Sequence, residues 1–164
     1  LVGSEMCIRD RGNLPPPSKR GDVFRQAAVK ALDTLSRNPN GFFLMIEGSN
    51  IDKAAHSNNL EEMMEELLDF DRTAGAVLDW ASKHPGTLVV ITADHNTGAF
   101  ALTGGSREQG EITGRFGSGS HDGVAVPVYA FGAGSGDFTG IYENTDIFNK
   151  IMNALKKGAD KPVR

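Results

Sequence analysis

The sequence predicts an α/β fold: a mostly parallel central sheet with helices on both faces. Three observations carry that expectation. Apolar runs of strand length alternate with amphipathic stretches of helical period. The two strongest runs, residues 42–46 and 87–92, are apolar almost without a break, as in strands covered on both faces. Acidic or imidazole side chains follow each run, Glu47 after the first and Asp94-His95 after the second. That edge, beyond the carboxyl ends of the strands, is where such sheets bind ligands.

Taken in order, residues 1–11 show neither helical nor strand period, and residues 1–12 are read as a non-native or unstructured tail outside the fold. Residues 13–20, with Pro15, Pro16 and Pro17, read as an extended linker. The folded part is expected over 21–158, with 159–164 as a tail. Val23, Ala27, Ala31 and Leu35 mark a helix over 22–37 that Asn38-Pro39-Asn40-Gly41 ends. Residues 42–46 form the first strand. A long helix follows over 60–83, with its stripe through Leu60, Met63, Met64, Leu67, Leu68, Ala74, Val77, Leu78 and Ala81. Asp71 falls on that stripe and is read as a satisfied buried group. Glu61, Glu62, Glu65 and Glu66 are read as a solvated face. His84 suits the negative end of the helix dipole, and Pro85-Gly86 stops the helix. Residues 87–92 are the second buried strand, 99–102 a short one and 124–131 the third main strand. A closing helix over 143–157 is capped near Asn144 or Thr145. The glycines between 98 and 140 imply long loops, where function usually sits.

Bulk properties exclude some classes. The chain has 164 residues, one domain's worth, and a net charge of -4 without a basic cluster, which argues against nucleic acid as the main partner. Its apolar runs are far too short to span a membrane. Cys7 is the single cysteine, so no internal disulfide can form.

The chemistry lies in three short stretches. Asp52 and His56 are four apart, so on a helix they share a face and can reach one ion. His121, inside the glycine loop of residues 117–123, can supply a third ligand. Three protein ligands with an open position are the pattern of a catalytic zinc. Asp94 and His95 form a second pair at a strand end. Glu47 follows five apolar residues, where a carboxylate is costly unless a cation meets it. Each piece has a plain structural reading as well: Asp52 or Asp94 as a turn cap, His56 as a solvated loop residue. Together, three His and three carboxylates point to a multi-metal site and to hydrolysis or phosphoryl transfer. Ser118 and Ser120 flank His121 without a base partner, and neither is nominated as a nucleophile.

The wording of these stretches closely resembles the C-terminal part of alkaline phosphatases. The matching segments are Phe-Phe-Leu-Met-Ile-Glu-Gly at 42–48, Ile51-Asp52 with His56, Thr-Ala-Asp-His-Asn-Thr-Gly at 92–98, then His121 and Val-Pro-Val-Tyr-Ala at 126–130. The resemblance runs over about residues 22–157. It implies Asp52, His56 and His121 as ligands of one zinc, Asp94 and His95 as ligands of a second, Glu47 as a magnesium ligand, and Lys53 near the substrate phosphate. The implied reaction is hydrolysis of small phosphomonoesters through a phosphoserine intermediate. Asn96 and Asp122 depart from the family, where many members carry Glu and Thr. The family's serine nucleophile, a shared aspartate, a threonine for magnesium and an arginine for phosphate have no match here. The resemblance therefore implies a C-terminal fragment, inactive by itself, of an enzyme expected to be periplasmic or secreted and homodimeric.

Two other readings compete. Phosphoglycerate mutase, phosphopentomutase and nucleotide pyrophosphatase types share Asp-x-x-x-His, Asp-His and a later His; Glu47 ahead of Asp52 and the wording of 92–98 favour alkaline phosphatase. A non-catalytic zinc-binding module is the third reading.

Overall fold

The computed structural model describes residues 15–159. The tail expected over residues 1–12, the start of the linker at 13–14 and all of the tail expected over 159–164 except Ala159, which is helical, lie outside the described residues.

Residues 17–20 are not the extended linker expected of them. They form a helical turn, α1 (Pro17–Arg20), with Pro17 in the first turn, where its missing N–H leaves nothing unsatisfied. Arg20 anchors that turn to the long helix α4 (Leu60–Ser82). Its guanidinium donates to both Glu66 carboxylate oxygens at 2.9 and 2.6 Å and to Asp69 Oδ2 at 2.7 Å. These three side chains are at most 5% exposed, which is tolerable only because the charges are paired and hydrogen-bonded. Glu66 thus leaves the solvated face assigned to it. Asp69, not Asp71, is the acid turned inward, and Asp71 is exposed. The burial of Glu66, Asp69 and Thr73 turns the packed face of α4 away from the apolar stripe. Leu67 and Leu68 consequently stay 42% and 50% exposed.

Helix α2 (Val23–Leu35) packs on α4 through Ala28, Ala31 and Leu32. Leu32, Trp80 and Ala81 form one core cluster, against which Phe42, Leu44, Val77 and Val89 lie. Trp80 donates its indole N–H to Asp33 Oδ1 at 2.9 Å, and Phe42 meets its ring edge-on. A second cluster, Ala54, Ala55 and Met63, docks α3 (Ser49–His56) on α4, with Phe100 and Phe116 packed around it. The small alanines let the two helices approach closely.

Every ladder among the described residues is antiparallel, so the parallel pairing expected of the sheet does not occur there. Strand β1 (Leu88–Thr92) pairs with β6 (Val128–Gly132), from Leu88↔Gly132 to Thr92↔Val128. Strand β2 (Asn96–Thr97) pairs with β5 (His121–Asp122). The glycine-rich stretch is not simply loop. It contains the hairpin β3 (Ala101–Ser106) and β4 (Glu111–Arg115), with an irregularity between Leu102 and Gly104; β3 starts near the short strand expected at 99–102. The missing parallel neighbour of β1 has a local reason. Residues 42–46, connected to β1 through α3 and α4, are extended but join no ladder among the described residues. Their burial alternates: Phe42 and Leu44 face the helical core, while Phe43 and Met45 are 42% and 57% exposed. Coverage on both faces, the expectation for this run, is replaced by coverage on one. The strand expected over 124–131 shortens to β6, and Val124 is exposed.

A 3-10 turn at Ser135–Phe138 buries Phe138 and leads to the closing helix α5 (Asp146–Ala159). Lys157 Nζ lies 2.8 Å from Asp137 Oδ2 and ties that helix to the turn. Among the described residues no helix is long and apolar enough to cross a membrane.

Candidate metal centre

Helix α3 follows Gly48, whose backbone runs so close to the Phe70 ring that a Cβ would sit 2.8 Å from it. Asp52 falls in the first turn of α3, where the helix dipole favours a carboxylate, and His56 ends the helix one turn later. With Ala54 and Ala55 buried, the face carrying Asp52 and His56 is turned to the loop before β5. His56 Nε2 lies 3.4 Å from Asp52 Oδ2.

The β2–β5 ladder brings the third group. It sets Thr97 opposite His121, and loop hydrogen bonds from Gly98 N to Ser120 O and from Gly117 N and Ser118 N to Gly98 O hold the approach. His121 Nε2 is then 3.0 Å from His56 Nε2 and 3.6 Å from Asp52 Oδ1. Donor atoms of Asp52, His56 and His121 all lie within 4.8 Å of one another.

The surroundings of this trio suit a cation. His56 Nδ1 is 2.8 Å from the Gly119 carbonyl oxygen. A carbonyl only accepts, so Nδ1 carries the proton and Nε2 presents a lone pair inward. That lone pair faces His121 Nε2 at 3.0 Å and the Asp52 carboxylate, ligand atoms of the kinds that a divalent ion takes. Thr97 Oγ1 donates to Asp52 Oδ1 at 2.6 Å and orients the carboxylate. Backing of this kind, from a carbonyl to His and from a hydroxyl to Asp, orients ligands at metal sites.

Asp94 and His95 leave the end of β1. His95 Nε2 lies 3.3 Å from Asp94 Oδ2, and its ring stacks on His121 with centroids 3.6 Å apart. The second pair thus adjoins the trio, although Asp94 itself is 88% exposed. Glu47, exposed at the end of the extended run, is not among the converging atoms. Lys53 is the next residue on α3 after Asp52, and its Nζ is 3.2 Å from Asn50 Oδ1. Ser118 and Ser120 serve the loop: Ser120 N donates to Ser118 Oγ at 2.8 Å.

Sequence reasoning missed Thr97 and the Gly119 carbonyl. It also treated Asn96 and Asp122 only as departures, yet they face each other across β2–β5. Asn96 Nδ2 lies 3.1 and 2.9 Å from the two Asp122 oxygens. That amide, with help from the Val124 and Ala99 N–H groups, holds the Asp122 carboxyl below its usual range.

Comparison with known proteins points to one family. Residues 17–115 match the family model described as alkaline phosphatase. The chain is 29% identical to alkaline phosphatase 4 of Bacillus subtilis (strain 168), over 82% of its own length and 44% of that protein. Among solved structures it is similar to alkaline phosphatase from the Antarctic bacterium TAB5, with 39% identity and a TM-score of 0.80, covering 87% of this chain and 44% of that one. A His-to-Glu mutant of the TAB5 enzyme with Mg bound in its M3 site aligns at 38% identity and a TM-score of 0.79. The chain therefore spans less than half the length of these relatives.

Proposed function

The chain belongs to the alkaline phosphatase family, and from that premise we propose that it carries the zinc-binding portion of a metal-dependent phosphomonoester hydrolase. The observation that carries the proposal is the convergence of Asp52, His56 and His121. These three residues hold one zinc. Asp94 and His95 contribute to a second, Glu47 to a magnesium, and Lys53 lies toward the substrate phosphate. Bound divalent cations at such a site supply Lewis acidity toward phosphoryl oxygens and charge stabilisation for in-line transfer. The chain's own residues hold the geometry: Gly119 fixes the His56 tautomer, Thr97 aims the Asp52 carboxylate, and the stacked His95 and His121 rings set the spacing between the two groups of ligands.

The serine nucleophile and the remaining ligands belong to a part of the parent protein outside this chain. The partial coverage of the relatives supports this. So do the exposed Phe43 and Met45, one apolar face of an extended run left for further helices over a parallel central sheet. On this reading the isolated chain does not turn over phosphomonoesters. The parent acts on small phosphomonoesters, in the periplasm or outside the cell, and is a homodimer.

The test is hydrolysis of 4-nitrophenyl phosphate by the full-length parent, with bis(4-nitrophenyl) phosphate as the diester control. Zinc-dependent monoester turnover that falls on the order of a hundredfold or more in His121→Ala is expected. Preference for the diester, or turnover indifferent to chelation, contradicts the proposal, as does family-level turnover by the isolated chain.

A further inference from the structure

We infer that Asp122, gripped by Asn96, is a positioning residue that locks the β2–β5 ladder and so presents His121 to the cation site it shares with Asp52 and His56. The inference rests on the metal-centre reading above. The ladder has only two residues on each strand, far too few to hold a register alone. Yet functional groups lie on both strands: Thr97 and His121 are paired in it, and His95 directly precedes it.

Asp122 supplies what the ladder lacks. Its Oδ2 accepts from Ala99 N at 2.9 Å and its Oδ1 from Val124 N at 3.1 Å, in addition to the Asn96 amide. One carboxylate thereby binds the opposite strand, the turn that leaves it and the chain after β5. The turn needs holding. Ala99 has φ +45°, a left-handed conformation that is unfavourable for a non-glycine residue. Gly98 before it has φ +80°, and a Cβ there would stand 2.8 Å from the Phe116 ring and 3.1 Å from the Ala55 carbonyl. The backbone is thus pressed against the floor of α3 in a strained shape, and Asp122 satisfies the N–H that this shape turns inward. Successive side chains of a strand point to opposite faces, so Asp122 points away from the face that carries His121. It acts through His121 and is not itself a ligand. A carboxylate suits the place because every neighbour named is a donor.

The test uses this chain with Co2+ alone as probe, read by visible absorption and calorimetry. Trp80, the single tryptophan, lies in the other core cluster and reports folding by fluorescence. His56→Ala abolishes cobalt binding. Asp122→Ala weakens it on the order of tenfold to a hundredfold, as loss of a ligand's supporting shell does, while the Trp80 melting profile stays close to that of the parent chain. Asn96→Ala weakens binding less, and the double variant binds no worse than Asp122→Ala, because the two act as one clamp. Asp122→Asn, which keeps one acceptor oxygen, recovers part of the loss. Imidazole 15N shifts of His121 move in Asp122→Ala, which a purely global destabilisation does not produce. Should Asp122→Ala not fold, Asn96→Ala carries the same comparison.

Unchanged cobalt affinity in Asp122→Ala and Asn96→Ala, alongside abolition in His56→Ala, overturns this inference and leaves the metal-centre reading standing. An affinity loss that only tracks unfolding at Trp80, or single losses that simply add, also overturns it. Cobalt binding that is absent, or indifferent to His56→Ala, overturns both.

Discussion

The two groups of would-be ligands differ in how they are supported. Asp52, His56 and His121 converge, and each is backed by structure: α3 is docked through buried alanines, Gly119 holds His56, Thr97 holds Asp52, and the β2–β5 ladder carries His121. Asp94 and Glu47, by contrast, leave strand-like ends and reach solvent, Asp94 with 88% of its side chain exposed. His95 links the two regions, through its stack on His121 and through Nδ1, 3.2 Å from Thr97 Oγ1. The contrast teaches that ligand type does not make a site. Preorganisation by packing and supporting hydrogen bonds does, and among the described residues it is seen for the Asp52, His56 and His121 group.

The largest way to break the contrast is to remove the platform under the supported trio. Arg20→Met leaves Glu66 buried without its cation and Asp69 with only Arg72, 3.7 Å from Oδ1, and Glu66 also accepts from Asn50 of α3 at 3.2 Å. Denaturant unfolding should show a loss of about 3–5 kcal/mol. A loss below about 1 kcal/mol would mean that the cluster does not support the helices. A smaller effect sharpens the comparison directly. Thr97→Val keeps shape but removes the hydroxyl that aims Asp52, and should weaken zinc binding on the order of tenfold. Asp94→Asn, in the unsupported group, should leave that first affinity nearly unchanged; equal losses in the two variants would erase the distinction. The smallest effect concerns the far end of the molecule. The Lys157 ammonium holds the Asp137 carboxyl below its usual range. Because the folded-state value is lowered, this pairing supports the docking of α5 above the ordinary carboxylate range and is lost as pH falls through the lowered value. Carboxyl 13C titration should place Asp137 below an unpaired aspartate, and Lys157→Met should return it to the ordinary range.

The parts legible in the sequence were those set by local periodicity. Helices α2, α4 and α5 and strand β1 lie within a few residues of their apolar patterns, and the four-residue spacing of Asp52 and His56 does put both on one face of a helix. What escaped depends on partners distant in the chain. An apolar run at 42–46 cannot say whether a neighbour will cover its second face. The packed face of α4 follows from Arg20, over 40 residues upstream, pairing with Glu66 and Asp69, so the hydrophobic stripe alone named the wrong acid. The antiparallel pairing of β1 with β6 is likewise a property of topology, not of composition. Thr97 and Asp122 acquire their roles only through the β2–β5 register, though the alternation from His95 to Thr97 hinted that both belong near one site.

The function proposed for this chain requires Asp52, His56 and His121 to hold a single divalent cation. Calorimetric titration of this chain with zinc tests it most directly. One tight equivalent, lost in each of Asp52→Ala, His56→Ala and His121→Ala while Trp80 still reports a folded core, is the predicted result. Absence of binding, or tight binding that survives all three substitutions, would contradict it.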